Sequence, residues 1–342
     1  TAAPTNRFST ARPTKPPRGN HLTDSTTTAG AGQPAAPKAV PSMLVPWLLL
    51  IGGASIYGSF FSASKFASDG GVPFIAFTFW QSAIGGCILL ALAAATGNLP
   101  RMRRDHLASY AVTSMLGVVM SVIVLAFVAS KLQAGVITLA ITLTPGITYL
   151  FAVMAGVDRW RVLSLSGVAL GLAGIAVLVI PEGGLPTGDS VVWVLLLLIV
   201  PVCFAANNVF VAVVRPPEAT SVMRATGLVV GAAIISFVIM MATEGFYPLW
   251  EATGMGLWGV LWAGGINGIT FFCMFEIIRR AGPVFFAQYN YVIVIAGLVW
   301  SQAIFNEALS TWFWLAFAAM LAGLYFANLG AKRGMQEAAA AG

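Results

Sequence analysis

Six side chains with neutral hydrogen-bonding groups stand inside stretches that are otherwise apolar: Tyr57, Gln81, Asn207, Asn267, Gln288 and Tyr291. An amide offers both donors and an acceptor, a phenol adds an aromatic face, and none of the six carries a formal charge. Such a set suits reversible binding of a neutral or zwitterionic molecule of amino-acid size, aromatic ones included, in a pocket with apolar walls. The sequence Gln288-Tyr289-Asn290-Tyr291 is the densest polar cluster in any of these stretches. Catalysis would call for other groups. Both histidines, His21 and His106, fall outside the apolar stretches, and no pair of aspartates lies within them. The three cysteines, Cys87, Cys203 and Cys273, sit at unrelated depths and read as packing residues, without metal or disulfide spacing. We therefore expect no enzymatic activity, no catalytic residue, no metal and no cofactor.

Carboxylates are also missing where they would matter. One at the centre of a bilayer costs about 2.5 to 3.5 kcal/mol on insertion scales and marks a proton or cation path. Glu276 lies near a helix end beside Arg279 and Arg280, and the other acids fall in loops. Facilitated exchange or weakly coupled efflux fits better than a built-in proton relay.

The elements that must position these residues are ten apolar stretches after Pro41, each about the length, roughly 20 residues, that crosses the hydrocarbon core as a helix. They run approximately over 44–64, 73–95, 107–128, 132–153, 162–180, 191–214, 219–241, 255–278, 283–304 and 311–329. Composition agrees: 58% of the chain is hydrophobic and 9% charged, against about 25% charged in soluble domains. The expected class is an all-α integral membrane protein. The fifth and tenth stretches hold almost no polar side chain, which suits a place facing lipid. Ser55, Ser59 and Ser62 share one face of the first helix, where small residues allow close packing, with Tyr57 beside them. Pro145 and Pro201 each interrupt a helix, freeing the carbonyls of Ile141 and Leu197, and are candidate hinges.

Charge sets the orientation. With the amino terminus in the cytoplasm, sixteen of the eighteen Lys and Arg residues fall on the inner side and only Lys65 and Lys131 on the outer. Both termini are then cytoplasmic, and the expected location is the cytoplasmic (inner) membrane. The net charge of +6 is scattered over inner loops and an arm, so it does not point to nucleic acid. Residues 1–42, rich in Thr, Ala, Pro and Gly, read as a disordered arm, and 332–342 as a cytoplasmic tail.

A repeat runs through the rest. Leu172-Ala173-Gly174 recurs 149 residues later as Leu321-Ala322-Gly323, Asp158 pairs with Glu307 and Lys131 with Arg280 at the same offset. Each unit, 43–181 and 190–331, holds five spans, so the two copies lie inverted in the bilayer, as in transporters whose substrate site sits between the halves. The run Lys131-Leu-Gln-Ala-Gly, Leu143-Thr-Pro145, Asp158-Arg159 and the glycines 167, 171 and 174, echoed by Gly282-Pro283, Glu307 and Ala322-Gly323, resembles the EamA-type drug/metabolite transporters. That resemblance implies two inverted five-helix repeats and export or exchange of small metabolites. An Arg common early in that family's second helix is replaced here by Trp80-Gln81, so an anionic substrate is not carried over from the resemblance.

The expected function is secondary transport of a small neutral or zwitterionic metabolite by alternating access. A passive channel is the alternative, and an intramembrane enzyme is a weaker one. The partners are the substrate and the bilayer, the chain acting as monomer or homodimer.

Overall fold

The computed structural model describes residues 44–156, 159–179, 190–214, 216–286, 289–306 and 309–340, all within one compact unit, Ser42–Gly342. The amino-terminal arm, Asp158, Gln288 and Glu307 lie outside the described residues. Those described are helical, with no strand among them.

Among the described residues the helices follow in order. They are α1 (Leu44–Asp69), α2 (Phe74–Ala95), α3 (Arg104–Ala129), α4 (Ala134–Met154), α5 (Val162–Val179), α6 (Ser190–Leu197 continued by Ile199–Val213), α7 (Ser221–Thr243), α8 (Gly256–Phe286), α9 (Tyr289–Phe305) and α10 (Thr311–Ala340). Seven of them, α1 to α4 and α6 to α8, are long and apolar enough to cross a membrane, while the apolar runs of α5, α9 and α10 are shorter. The chain is a multi-pass membrane protein.

Several boundaries differ from those expected; helix α10, for one, runs on to Ala340, through most of the expected tail. Helix α1 runs on to Asp69, with Lys65 and Asp69 paired one turn apart at 4.0 Å across its last turn. Pro283 does not open α9 but lies within α8, whose helix continues to Phe286; a membrane helix tolerates proline where neighbours satisfy the backbone it disturbs.

Several helices are broken. Helix α4 divides into Ala134–Ile141 and Thr144–Met154, with Pro145 in the first turn of the second piece rather than in mid-helix. That is where a proline fits, since its missing N–H has no partner to lose there. The amides of Thr142 and Leu143 reach back only three residues, at 3.0 and 3.2 Å, tightening the turn at the break. Helix α6 breaks likewise at Leu198, just before the buried Pro201. In α3, Met115–Val119 forms a π-turn, and the Ser121 hydroxyl donates to the Leu116 carbonyl at 2.8 Å.

Packing pairs α1 with α8 and α9, α6 with α3 and α4, α2 with α7 and α8, α7 with α3, α4 with α9, and α5 with α10. Glycines make the closest approaches. A Cβ added at Gly323 of α10 would stand 2.6 Å from the Gly167 carbonyl oxygen of α5, and one at Gly174 would meet Met320 and Ala316. The glycines 167, 171 and 174 thus serve a seam inside the chain.

Loops meet at two ends. At one, Arg101 pairs with Glu218, and buried His106 sits 3.1 Å from the Pro217 carbonyl oxygen and 3.3 Å from the Tyr110 hydroxyl. A carbonyl only accepts, so Nε2 donates to Pro217. At the other, the Thr253 amide and hydroxyl both donate to the Gly70 carbonyl, at 3.2 and 3.0 Å.

Candidate functional site

A cavity of about 240 Å³ opens between α1, α2, α3, α4, α6, α8 and α9, with Leu324 of α10 at its edge. Tyr57, Gln81, Asn267 and Pro145 line it. Gln81 is fully buried in α2; its Nε2 donates to the Ser82 hydroxyl at 2.8 Å and its Oε1 accepts from Asn267 Nδ2 on α8. Each amide thereby covers polar atoms that would cost several kcal/mol if left bare in hydrocarbon. The pairing depends on a close approach of the two helices: a Cβ at Gly85 would lie 3.0 Å from Asn267 Cβ and 3.2 Å from the Gly264 carbonyl oxygen.

Away from this pair the walls are aromatic. The Tyr57 ring stacks on Phe60 with centroids 5.8 Å apart, and Phe60 contacts Phe61 at 6.1 Å and Phe77 at 6.2 Å. All three phenylalanines are buried and fill the space between the cavity and the Gly70 end.

The remaining expected residues divide. Asn207 does not line this cavity; Phe204 and Asn208, one turn apart on α6, do. Asn207 lies about 100° round the helix and lines a second cavity, of about 320 Å³, with Tyr110 and Arg224. Tyr291 is half-buried and off the lining, whereas Tyr289, Asn290, Ile293 and Val294 form the face of α9 turned to the cavity. The helical phase of α9, which begins at Tyr289, decides between the two tyrosines. Gln288 lies outside the described residues. Pro201 is not part of the lining, while Pro145 and Ile141 are.

Other contributors were hidden in the sequence. Thr144, beside Pro145, lines the cavity with its buried hydroxyl oxygen unpartnered, so a polar acceptor or donor of a bound molecule has a place to attach. Gly117 and Val118 reach the cavity from the π-turn of α3, and such turns are found frequently at functional sites. The Asn207 amide lies flat on Gly117, 3.1 to 3.2 Å from where a Cβ would be. Nothing in the local sequence announces a π-turn; the thrice-repeated Thr142, Thr144 and Thr148 was the visible signal on α4. Among the described residues no group of His, Cys, Asp and Glu could hold a metal ion.

In three dimensions the chain is similar to a solved structure titled only as the crystal structure of a protein, with 19% identity and a TM-score of 0.58, the match covering 84% of this chain and 98% of that one. At that identity the likeness speaks for the fold alone. No curated protein matches the sequence. Residues 45–180, the stretch that builds α1 to α5, match the EamA-like transporter family, in keeping with the resemblance to EamA-type drug/metabolite transporters.

Proposed function

We propose that the protein is a secondary transporter that exports or exchanges a small neutral or zwitterionic metabolite of amino-acid size by alternating access between two inverted five-helix repeats. The observation that carries this reading is the Gln81–Asn267 pair, two uncharged amides joined across α2 and α8 at the wall of a 240 Å³ cavity with no charged lining residue. A dianion would lose its hydration there without a cation to replace it. We assign substrate contacts to Tyr57, Gln81, Asn267, Asn208, Thr144 and Tyr289, and a hinge to the break at Pro145.

The repeat is supported by reciprocal packing. At an offset of 149, α1 corresponds to α6, α2 to α7, α3 to α8, α4 to α9 and α5 to α10. Where α1 packs on α9, α6 packs on α4; where α2 packs on α8, α7 packs on α3; and α2–α7, α4–α9 and α5–α10 each pair with their own counterpart. A two-fold axis in the membrane plane produces this pattern. The end at which the Arg101 and Glu218 loops meet is read as the cytoplasmic face, because most of the basic residues fall on that side of the chain.

Reconstituted into proteoliposomes, the protein is expected to show saturable uptake of neutral amino acids and accelerated counterflow. Linear, unsaturable flux would instead make it a channel. Cysteines introduced at Gly254 should react with an impermeant thiol reagent from outside the cell, and those at Asn98 should not; the reverse would overturn the orientation.

A further inference from the structure

We infer that the second cavity, of about 320 Å³, is a separate binding site for the carboxylate and ammonium groups of a zwitterionic substrate, built only at the arginine-rich end of the protein. This rests on the transport reading above and adds a capture site that the central cavity does not provide.

The cavity lies between α3, α6 and α7, and its size falls at the lower end of the range for small-molecule sites, about 300 to 1,000 Å³. Arg224, in the first turn of α7, is its one charged lining residue. The guanidinium is oriented by Nη2, which donates to the Val211 and Val214 carbonyls at the end of α6, at 2.9 and 3.3 Å. Asn207 stands about one turn before Val211, roughly 6 Å along the same helix, and its buried Oδ1 has no hydrogen-bond partner. A single cation with an unused acceptor one turn away matches a ligand that has one carboxylate and one N–H donor. Hydroxyl-bearing Ser109, Thr113 and Tyr110 supply the opposite wall, with the Tyr110 ring pressed so closely on Gly227 that a Cβ there would meet it at 2.4 Å.

The two cavities are in series. Asn208 and Phe271 line both, so these two side chains form the partition between them.

The repeat shows that the site has no twin. The residues 149 positions away from Arg224, Asn207 and Thr113 are Ile75, Gly58 and Trp262. Ile75 is buried, Gly58 packs on Gly297, and the Trp262 indole N–H donates to the Ser59 hydroxyl at 2.9 Å. Even after an exchange of the two halves' conformations, the counterparts of the lining residues would present no cation, and Lys65 at that end is paired with Asp69. Capture of a carboxylate is therefore a property of one face, and the substrate's apparent affinity should be tighter from the cytoplasmic side.

The test uses full-length protein in vesicles of both orientations, with phenylalanine and phenylalaninamide as probes, the amide lacking the carboxylate charge. Wild type should prefer the acid at the arginine-rich face, and Arg224→Gln should raise KM for phenylalanine from that face about tenfold or more while leaving KM for the amide and KM from the other face unchanged. Arg224→Lys, which keeps the charge but not the fork, should fall between. The acid-to-amide ratio is internal to each variant, so a general loss of folded protein does not change it. An unchanged ratio in Arg224→Gln, equal shifts from both faces, or transport restricted to solutes without a carboxylate would each overturn the site. Asn267→Leu separates the two readings: it should abolish transport yet retain Arg224-dependent binding of phenylalanine in nanodiscs. Normal transport in that variant would defeat the central-cavity assignment and leave this one standing.

Discussion

Two helix seams in this protein use the same device to opposite ends. At the α5–α10 seam, Gly167, Gly171 and Gly323 bring the backbones together, and the contact is apolar from Val168 to Val177. At the α2–α8 seam, Gly85, Gly264 and Gly268 do the same against Asn267, Ile84 and Ile88, but a Gln81–Asn267 hydrogen bond is buried within it. In a bilayer, close packing holds helices together because lipid is as apolar as they are. Small residues therefore report proximity. It is the polar pair, which packing alone does not require, that marks the site.

The largest effect should come from making the second seam like the first. Asn267→Leu should abolish transport and leave the buried Gln81 amide short of a partner, lowering stability by about 1 to 3 kcal/mol. The double variant Gln81→Leu, Asn267→Leu removes both polar partners, so stability should largely return while transport does not. Thermal unfolding beside proteoliposome uptake would read both, and recovery of transport in the double variant would show that the pair is only interhelical glue.

Next is the converse change. Gly323→Ala would set a methyl 2.6 Å from the Gly167 carbonyl oxygen and 2.8 Å from the Gly171 amide, backbone atoms that cannot turn aside. We expect a loss of about 1 to 3 kcal/mol with transport per folded molecule kept. A selective loss of transport at full stability would mean that the α5–α10 seam moves in the cycle.

A smaller effect is expected of Val177→Leu, on the half-buried side of α5: less than a twofold change in uptake. The smallest concerns the exposed clasp between Arg101 and Glu218, which joins the loops before α3 and α7. The Arg101 guanidinium holds the Glu218 carboxyl below the usual carboxylate range. A carboxyl depressed on folding stabilises above its unfolded pKa and loses that contribution as pH falls through the folded value. Acidification below the ordinary carboxylate range should thus cost wild type slightly more than Glu218→Gln in melting temperature, and high salt should erase the difference.

Much of the architecture was legible beforehand because span length and the expulsion of bare polar groups from hydrocarbon are properties of local composition. The breaks near Pro145 and Pro201, the apolar character of α5 and α10, and the candidates Tyr57, Gln81 and Asn267 followed from that. Asn207 and Tyr291 illustrate the limit. Each has a polar neighbour one or two positions away, and a rotation of 100 to 200° about the helix axis decides which of them enters the cavity.

The sequence by itself determined the helical class and an uncharged set of polar groups within the apolar stretches. Tertiary structure decided the rest: that Gln81 and Asn267 join, that α3 carries a π-turn beneath Asn207, and that Arg224, one loop-end arginine among several, turns onto the end of α6 to line a cavity. Insertion into a bilayer depends on the summed hydrophobicity of about 20 neighbouring residues, a local quantity. A site depends on the phase and approach of helices far apart in the chain, and those are set by glycine contacts whose partners the sequence does not name.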